Sequence, residues 1–291
     1  MKDASEVFAA YEAIRARLPA MPSPGAGLQI GSLIEVAPEM DAVVFDAFGV
    51  LNVGDTPIPG AAERVAELRR MGISVRVLSN AASYDRDTAF RKFERLGFPL
   101  APQELVTSRD ATLRAMDRRV WGVIAAPEDR LADLPGQCIR LGDNPADFDR
   151  AEGIVFLSSS GWNDARQAHL ARSLNMRARP VLIGNADLVA PRETGLSLEP
   201  GHYAQSLPGD QLRLFGKPFA DVYDLTRATL PGVPANRIAM CGDTLHTDIL
   251  GAAAQGWRTV LVTADGLFAG QDTKPFEASS GIIPDWRLAR I

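Results

Sequence analysis

Short apolar runs alternate with amphipathic stretches along most of this chain. AVVFD (42–46) and SVRVLSN (74–80) are mostly apolar runs that end in a polar residue, which is typical of strands buried on both faces of a sheet. A helical pattern follows each run, over GAAERVAELRRMG (60–72) and then from Ser83 to Leu96, and a glycine ends both patterns. Strands that alternate with helices in this way predict a parallel sheet with right-handed crossovers.

The same alternation returns late in the chain. RIAMCGD (237–243) and WRTVLVT (257–263) repeat the pattern of a buried strand, and LRLFGK (212–217) precedes them as a shorter run. Helical patterns lie between these runs, so the segments look like the other half of one sheet. We therefore predict an α/β fold with a Rossmann-like, three-layer α/β/α core and a parallel sheet.

The middle of the chain has strands of its own. WGVIAA (121–126), GIVFLSS (153–159) and RPVLIGN (179–185) are interleaved with helical stretches, which predicts a smaller α/β module inserted into the core. The tail from Gln271 to Ile291 is predicted to wrap the surface and to end in a short helix. The predicted domains are an N-terminal helical extension (1–29), a core made of two segments (30–107 and 201–291) and the inserted module (108–200).

The composition narrows the class of protein. Hydrophobic residues make up 46% of the chain and charged residues 23%, which is ordinary for a soluble globular protein. The net charge of -5 leaves no basic surface for a phosphate backbone, so we expect no nucleic-acid partner. No apolar stretch approaches the roughly 18 residues of a membrane span, no secretion signal is visible, and Cys138 and Cys241 lack metal-ligand spacing. We expect a cytoplasmic protein without a membrane partner.

Polar residues follow several predicted strands of the core. In an open parallel sheet, ligands bind outside the carboxyl ends of the strands. The residues at those ends are Asp46, Ser79 with Asn80, Lys217, and Asp243 with Asp248. The carboxylates of Asp46 and Asp243 would repel each other unless a cation lay between them, and hard oxygen ligands favour Mg²⁺. The sequence therefore predicts a Mg²⁺ site at this edge of the sheet.

A phosphoryl group suits such a site. A carboxylate beside a bound metal ion can attack phosphorus, so Asp46 is the candidate nucleophile. Lys217 can hold the incoming anion, and it is one of only four lysines among 31 lysines and arginines, which argues against a casual surface cation. The Ser79 hydroxyl and Asn80 can add hydrogen-bond donors.

Four segments, taken together, resemble the four motifs of the haloacid dehalogenase superfamily: FDAFGVL, VLSN, FGKP and GDTLHTD, in that order. The inserted module resembles the C2-type cap of subclass IIA, which includes nitrophenyl phosphatase-like and pyridoxal phosphate phosphatase-like enzymes. The resemblance covers about residues 30–291. It implies a phosphatase-like hydrolase that uses Mg²⁺, acts on a small phosphorylated metabolite and forms a homodimer, as family members with this cap often do.

The resemblance also implies roles for individual residues. Asp46 would be the nucleophile, with Lys217 and Ser79 as the other catalytic residues. The metal ligands would be Asp46, the carbonyl oxygen of Phe48 and Asp243, while Asp248 would be a ligand or an anchor for the site. The phosphate would be bound by residues of three motifs, namely Phe48, Gly49, Ser79, Asn80 and Lys217.

One position departs from the superfamily's usual phosphatase pattern. Such phosphatases usually carry a second aspartate two residues after the nucleophile, as the general acid for the leaving group, and that position is Phe48 in this chain. Loss of a general acid costs about 10²–10⁴-fold in rate. We therefore expect slow hydrolysis of ordinary alkyl phosphates.

Two alternatives to a phosphatase stay open. The superfamily's true dehalogenases also place an aromatic residue at the position of Phe48 and need no metal, but Asp243 and Asp248 would then be uncompensated acids beside Asp46. The other alternative is a phosphate- or metabolite-binding module that has lost turnover, which Phe48 also suggests.

Residues of the inserted module are candidates for substrate specificity. Asn185, Asp187 and Arg192 follow a predicted strand and could reach over the site, and Arg192 suits an anionic substrate best. The three histidines are scattered, and His246, which lies between the motif acids, is expected to be structural.

Overall fold

The chain folds around two parallel sheets and two short hairpins. The computed structural model describes residues 3–192 and 195–291; residues 1 and 2 of the predicted N-terminal extension and residues 193 and 194 of the predicted inserted module lie outside the described residues. The strands in these described ranges are β1 (Leu28–Gln29), β2 (Ala42–Phe45), β3 (Asn52–Val53), β4 (Thr56–Pro57), β5 (Ser74–Ser79), β6 (Leu105–Thr107), β7 (Trp121–Ile124), β8 (Cys138–Arg140), β9 (Gly153–Phe156), β10 (Val181–Ile183), β11 (Val189–Arg192), β12 (Gly195–Leu198), β13 (Leu212–Leu214), β14 (Ile238–Gly242), β15 (Arg258–Val262) and β16 (Trp286–Leu288).

Helices fill most of the connections between these strands. The α-helices of the described residues are α1 (Ala4–Ala13), α2 (Ala61–Arg70), α3 (Arg86–Arg95), α4 (Ser108–Ala115), α5 (Pro145–Arg150), α6 (Asp164–Met176), α7 (Pro200–Ala204), α8 (Ala220–Ala228), α9 (Leu250–Ala254) and α10 (Lys274–Ser280). A π-helical turn, Leu245–Ile249, leads into α9. No helix within the described residues is long and apolar enough to cross a bilayer.

The larger sheet has seven strands in the order β1-β16-β15-β14-β2-β5-β6, and every neighbouring pair is parallel. Side chains of the central strand β2 alternate between two apolar layers. Val43 and Phe45 belong to the layer that contains α2 and α3, whereas Ala42 and Val44 belong to the layer that contains α4 and α8. Because helices cover both faces, the strand reads as one continuous apolar run. The predicted α/β class and parallel core are confirmed.

The smaller sheet has five parallel strands in the order β13-β10-β9-β7-β8, and helices α5, α6 and α7 contribute to its hydrophobic core. The prediction that residues 212–217 form a strand of the larger sheet was wrong, because Leu212–Leu214 pairs with β10 of the smaller sheet. A three-residue apolar run fits the edge of either parallel sheet, and its own sequence does not identify the partner strand. We call residues 121–214 the cap and residues 28–120 and 215–291 the core.

Both ends of the chain complete the larger sheet. Strand β16 pairs with β15 and also with β1, so the last and the first strands lie together at one edge. The prediction that the tail ends in a short helix was wrong: α10 precedes a strand whose residues Trp286 and Leu288 are buried in the core.

Helix α4, which was predicted within the inserted module, packs against β6 and α8 of the core.

Helix α1 touches both the core and the cap. It begins at Asp3, whose side chain accepts a hydrogen bond from Glu6 N at 2.9 Å. Ala4 packs in a cluster with the π-helical turn of the core, whereas Val7 packs in a cluster with Leu188 and Val189 of the cap. The predicted accessory helix is therefore part of the interface between the two units.

Candidate active site

Asp46 lies at the carboxyl end of the central strand β2. Its backbone N–H donates to the carbonyl oxygen of Cys241 on β14 at 2.9 Å, so the sheet holds the start of the loop that follows. The chain then turns at Gly49, whose φ of 76° lies in the left-handed region that glycine adopts easily. The Asp46 side chain is largely buried and lines the main cavity of the described residues.

The ammonium group of Lys217 lies between two carboxylates. Its Nζ is 2.5 Å from Asp46 Oδ1 and 2.6 Å from Asp248 Oδ1, and the side chain is only 2% exposed. Burial alone would lower the pKa of Lys217, but the carboxylates of Asp248, Asp46 and Asp187 outweigh burial and raise it. The three carboxylates therefore favour the charged form of the lysine.

Asp243 and Asp248 follow strand β14. Asp243 Oδ2 accepts a hydrogen bond from Leu267 N at 2.7 Å, and its Oδ1 accepts one from Thr244 Oγ1 at 2.9 Å. Asp248 Oδ2 accepts from Thr244 N at 3.1 Å. A Cβ atom on Gly49 would lie 2.5 Å from Asp243 Oδ2, so the loop after Asp46 approaches this carboxylate as only glycine allows. The two carboxylates are therefore fixed in place by backbone groups.

Three carboxylates converge at this point. Asp46, Asp243 and Asp248 each offer one oxygen, and these oxygens lie within 4.8 Å of one another. Burial, together with the charges of Asp248 and Asp243, raises the pKa of Asp46 against the opposing charge of Lys217. Burial and then Asp248 raise the pKa of Asp243 to about 6. A single ammonium group does not balance three carboxylates, and a buried set of hard oxygen donors suits a divalent cation such as Mg²⁺.

The structure places Ser79 and Asn80 at the end of β5, but not as the predicted pair of free donors. The amide of Asn80 donates to Asp187 Oδ1 at 2.8 Å and to the carbonyl oxygen of Lys217 at 3.1 Å, and it accepts from Lys217 N at 2.7 Å. Asn80 therefore joins Lys217 to the cap. Ser79 Oγ accepts from Ala81 N at 3.2 Å and lines a small pocket that shares Phe48 and Ala81 with the main cavity.

The ring of Phe48, in the loop after Asp46, lies against two cations. Lys92 Nζ lies 4.9 Å from the centre of the Phe48 ring, and Arg192 Cζ of the cap lies 5.4 Å from it. Lys92 also pairs with Asp55 at 3.0 Å. The ring is partly buried and forms part of the wall of the main cavity. Phe48 therefore offers an aromatic face to the cavity and no proton.

The main cavity lies between the core and the cap and has a volume of about 580 Å³. The core contributes Asp46, Lys217 and Asp243 to its wall. The cap contributes mainly polar groups: Glu128, Ser158, Ser159, Ser160, Asn185, Asp187, Arg192, Ser197, Glu199 and Tyr203. A small ligand with hydroxyl groups would find several hydrogen-bond partners there.

The predicted specificity residues of the cap form one network. Arg192 donates to Ser197 Oγ at 2.8 Å and to Glu199 Oε1 at 3.0 Å, and Asn185 donates to Glu199 Oε2 at 3.2 Å. Sequence reasoning missed Glu199, because an isolated acid carries no local signal of the arginine that it pairs with. The guanidinium charge of Arg192 is already partly neutralised by this acid.

Helix α1 supplies a wall residue that sequence reasoning also missed. Tyr11 lines the main cavity, its ring stacks on His246 with centroids 5.1 Å apart, and its hydroxyl accepts a hydrogen bond from Leu188 N at 3.1 Å. His246 Nε2 lies 2.6 Å from Glu12 Oε1. His246 is thus a buried contact between the core and α1, as expected of a structural histidine.

The parallel α/β core thus brings a buried lysine and a cluster of three carboxylates together at one strand edge. Residues 43–130 match the family described as haloacid dehalogenase-like hydrolase, and residues 214–285 match a family described as HAD-hydrolase-like. The chain belongs to the haloacid dehalogenase-like hydrolases and is an enzyme of that class.

Individual proteins of known sequence or structure are similar along most of the chain. Human chronophin is 28% identical over 284 residues, which cover 91% of this chain and 95% of that protein. Human glycerol-3-phosphate phosphatase is 27% identical over 289 residues, which cover 87% of this chain and 89% of that protein. A possible sugar phosphatase from Cytophaga hutchinsonii has the same fold, with a TM-score of 0.80 at 24% identity, and the match covers 91% of this chain and 98% of that one.

Proposed function

We propose that this chain is a Mg²⁺-dependent phosphatase that hydrolyses a small phosphorylated metabolite through an aspartyl phosphate on Asp46. The observation that carries the proposal is the contact of Lys217 with Asp46 at 2.5 Å inside a cluster of three buried carboxylates. The glycerol-3-phosphate phosphatase to which the chain is similar acts on a compound of the same class. A homodimer and a cytoplasmic location stay predictions.

In this mechanism the phosphoryl group of the substrate lies over Asp46. Asp46 attacks phosphorus, and Lys217 holds both the attacking carboxylate and the phosphoryl oxygens, which eases the approach of two anions. Asp46, Asp243, the carbonyl oxygen of Phe48 and Asp248 are the groups that would hold Mg²⁺. When bound, Mg²⁺ neutralises the negative charge of the non-bridging phosphoryl oxygens.

The remaining site residues position the reacting groups. Asp248 fixes Lys217 through the contact of 2.6 Å, and Asn80 fixes the backbone of the same lysine. Ser79 ends β5, the strand beside β2, and is assigned to the phosphate together with the loop of Phe48 and Gly49; the N–H group of Gly49 itself donates to the carbonyl oxygen of Asn52 at 2.8 Å. Asn185 and Arg192 are assigned to the part of the substrate that lies in the cap.

The test is hydrolysis of p-nitrophenyl phosphate by the full chain, first stripped of metal by a chelator and then supplied with Mg²⁺. We expect turnover only with the metal, and only background turnover from Asp46→Asn. A matched control is Asp41→Asn, which changes an exposed aspartate that pairs with Arg237 just before the same strand and should leave turnover unchanged. After an acid quench, mass spectrometry should find the phosphate on Asp46.

A binding module without turnover is the second candidate function, and Phe48 is the observation that favours it. Such a module would bind inorganic phosphate in the presence of Mg²⁺ but would not hydrolyse p-nitrophenyl phosphate, whose good leaving group needs no acid. Binding without hydrolysis at every metal tested would therefore contradict the proposed phosphatase. Release of halide from a 2-haloacid without metal would instead favour a dehalogenase.

A further inference from the structure

Phe48 stands where related phosphatases carry the general acid, so another group of the cavity would have to supply the proton. A leaving alkoxide needs a proton, and Phe48 has none to give. Besides the acids of the carboxylate cluster, the described wall of the cavity carries three carboxyl groups: Glu128, Asp187 and Glu199. The three carboxyl groups differ in burial and in their hydrogen-bond partners.

Two of these three carboxyl groups do not suit the role of an acid. Glu128 is exposed to solvent, so nothing in its surroundings sets it apart from an ordinary surface carboxyl group. Glu199 is buried, but Arg192 and Ser197 donate to its Oε1 and Asn185 donates to its Oε2. Both carboxylate oxygens of Glu199 are therefore already engaged by groups of the cap.

Asp187 differs from both. It lies in the loop between β10 and β11 of the cap, is half-buried, and faces the same cavity as Asp46 and Lys217. Its Oδ1 accepts from Asn80, the residue that also holds the backbone of Lys217. Among the described residues, no hydrogen bond is made to its Oδ2, so this oxygen is free to carry a proton toward a ligand in the cavity.

We propose that Asp187 is the general acid of this enzyme and donates its proton to the leaving oxygen of the substrate in place of the usual aspartate at position 48. The assignment rests on the proposed phosphatase function. It also explains how the site can work with Phe48, since the proton then comes from the cap side of the cavity rather than from the nucleophile loop.

The electrostatic surroundings of Asp187 support a protonated carboxyl group near neutral pH. Burial raises the pKa of Asp187 to about 7, and the charges of Asp248 and Glu199 act in the same direction, while Lys217 and the hydrogen bond from Asn80 oppose them. Burial and then the charge of Asp187 raise the pKa of the Tyr11 phenol, whose hydroxyl accepts from Leu188 N, the residue after Asp187. An acid with a pKa near the working pH is suited to proton transfer in both directions.

The proposed step balances. Asp46 forms a bond to phosphorus as the bond from phosphorus to the leaving oxygen breaks, and the proton of Asp187 moves to that oxygen, which gives an alcohol and an ionised Asp187. Water then attacks the aspartyl phosphate, and the Asp187 carboxylate accepts a proton from it. The products are inorganic phosphate, free Asp46 and a protonated Asp187.

The experiment compares two substrates that differ in leaving group, glycerol phosphate and p-nitrophenyl phosphate, on the full chain with Mg²⁺. We expect Asp187→Asn to lower kcat for glycerol phosphate by about 10²-fold or more and to change kcat for p-nitrophenyl phosphate by no more than a few fold. The amide can still accept from Asn80, so the loop should keep its position. The matched control is Asp143→Asn, which changes an exposed aspartate of the cap that pairs with Arg166 outside the cavity and should affect neither substrate.

The pH profile is the second measurement. For the unmodified chain, kcat for glycerol phosphate should fall as the pH rises through the pKa of the acid, and this fall should be absent in Asp187→Asn. Equal losses for both substrates, or no loss for either, would overturn the assignment of Asp187 and leave the phosphatase intact. No turnover of p-nitrophenyl phosphate by the unmodified chain would instead overturn the proposed function and the assignment with it.

Discussion

At the scale of single residues, Phe48 acts as a contact between the core and the cap. Its ring lies against Lys92 of the core and Arg192 of the cap, and cation–π contacts of this kind contribute about 0.5–1 kcal/mol at exposed sites. The aromatic residue therefore has a physical role beyond the absence of a carboxyl group. Any acid placed at position 48 would meet the same two cations, which would favour its ionised form.

The variant Phe48→Asp tests whether the nucleophile loop can regain an acid. We expect a gain in kcat for glycerol phosphate, well below the full 10²–10⁴-fold of a general acid, because Lys92 and Arg192 lower the pKa of the new carboxyl group. Phe48→Asn is the matched control, since it removes the ring without adding an acid. Kinetics with both variants on glycerol phosphate check this, and equal rates for the two would contradict it.

Gly49 packs closely against the carboxylate of Asp243, where a side chain would not fit. In Gly49→Ala the new Cβ atom would lie 2.5 Å from Asp243 Oδ2, so the carboxylate must move, whereas in Gly60→Ala the Cβ atom would meet nothing within 4 Å. Both glycines have a positive φ, and the cost of that backbone conformation, about 1–2 kcal/mol, is shared. We expect only Gly49→Ala to weaken Mg²⁺ binding. Calorimetric titration with Mg²⁺ measures this, and equal affinities in the two variants would refute it.

Among the helices and strands, the sequence predicted best those whose structure depends mainly on their own residues. Strands β2 and β5 are mostly apolar runs that helices cover on both faces, and the polar residues that follow them, Asp46 and Asn80, lie at the carboxyl edge for that reason. β13 was assigned to the wrong sheet, and the segment of β16 was predicted to end in a helix. Both strands have three residues, and the sequence of so short a strand does not identify the distant strand with which it pairs. Asp187 was a candidate because it follows a predicted strand, whereas Glu199 and Tyr11 reach the cavity through tertiary contacts that no local pattern encodes.

Helix α1 contacts a loop of the cap through the hydroxyl group of Tyr11. The Tyr11 hydroxyl accepts from Leu188 N of the cap, so Tyr11→Phe leaves a buried N–H group without its partner, at a cost of about 1–3 kcal/mol. We expect a lower free energy of unfolding and a higher KM for p-nitrophenyl phosphate, because the loop before β11 loses an anchor. Tyr84→Phe removes a hydroxyl from an exposed side chain of the same cavity and should change neither. Identical behaviour of the two variants in urea unfolding and kinetics would show that α1 does not fix the loop.

At the scale of the whole molecule, a buried ion pair joins the core to the cap. Arg109 of α4 lies 2.6 Å from Asp129 and 2.7 Å from Asp133, both in the cap loop after β7. The side chains of Arg109 and Asp129 are only 2% and 1% exposed, so both charges have lost their water. Arg109 also donates to the carbonyl oxygen of Ala82 at 2.9 Å, which ties the same cap loop to the loop that follows β5.

Removing one partner of this buried pair should destabilise the protein strongly. Arg109→Met leaves Asp129 buried without a counter-charge, so we expect the free energy of unfolding to fall by about 3–5 kcal/mol. In the double variant Arg109→Met/Asp129→Leu no charge is stranded at position 129, and most of the loss should be recovered because apolar groups can replace a buried pair at little cost. Urea unfolding of the two variants measures both values. If the double variant were no more stable than the single one, the stability of the core–cap connection would depend on the hydrogen bonds of Arg109 and not on the balance of buried charge.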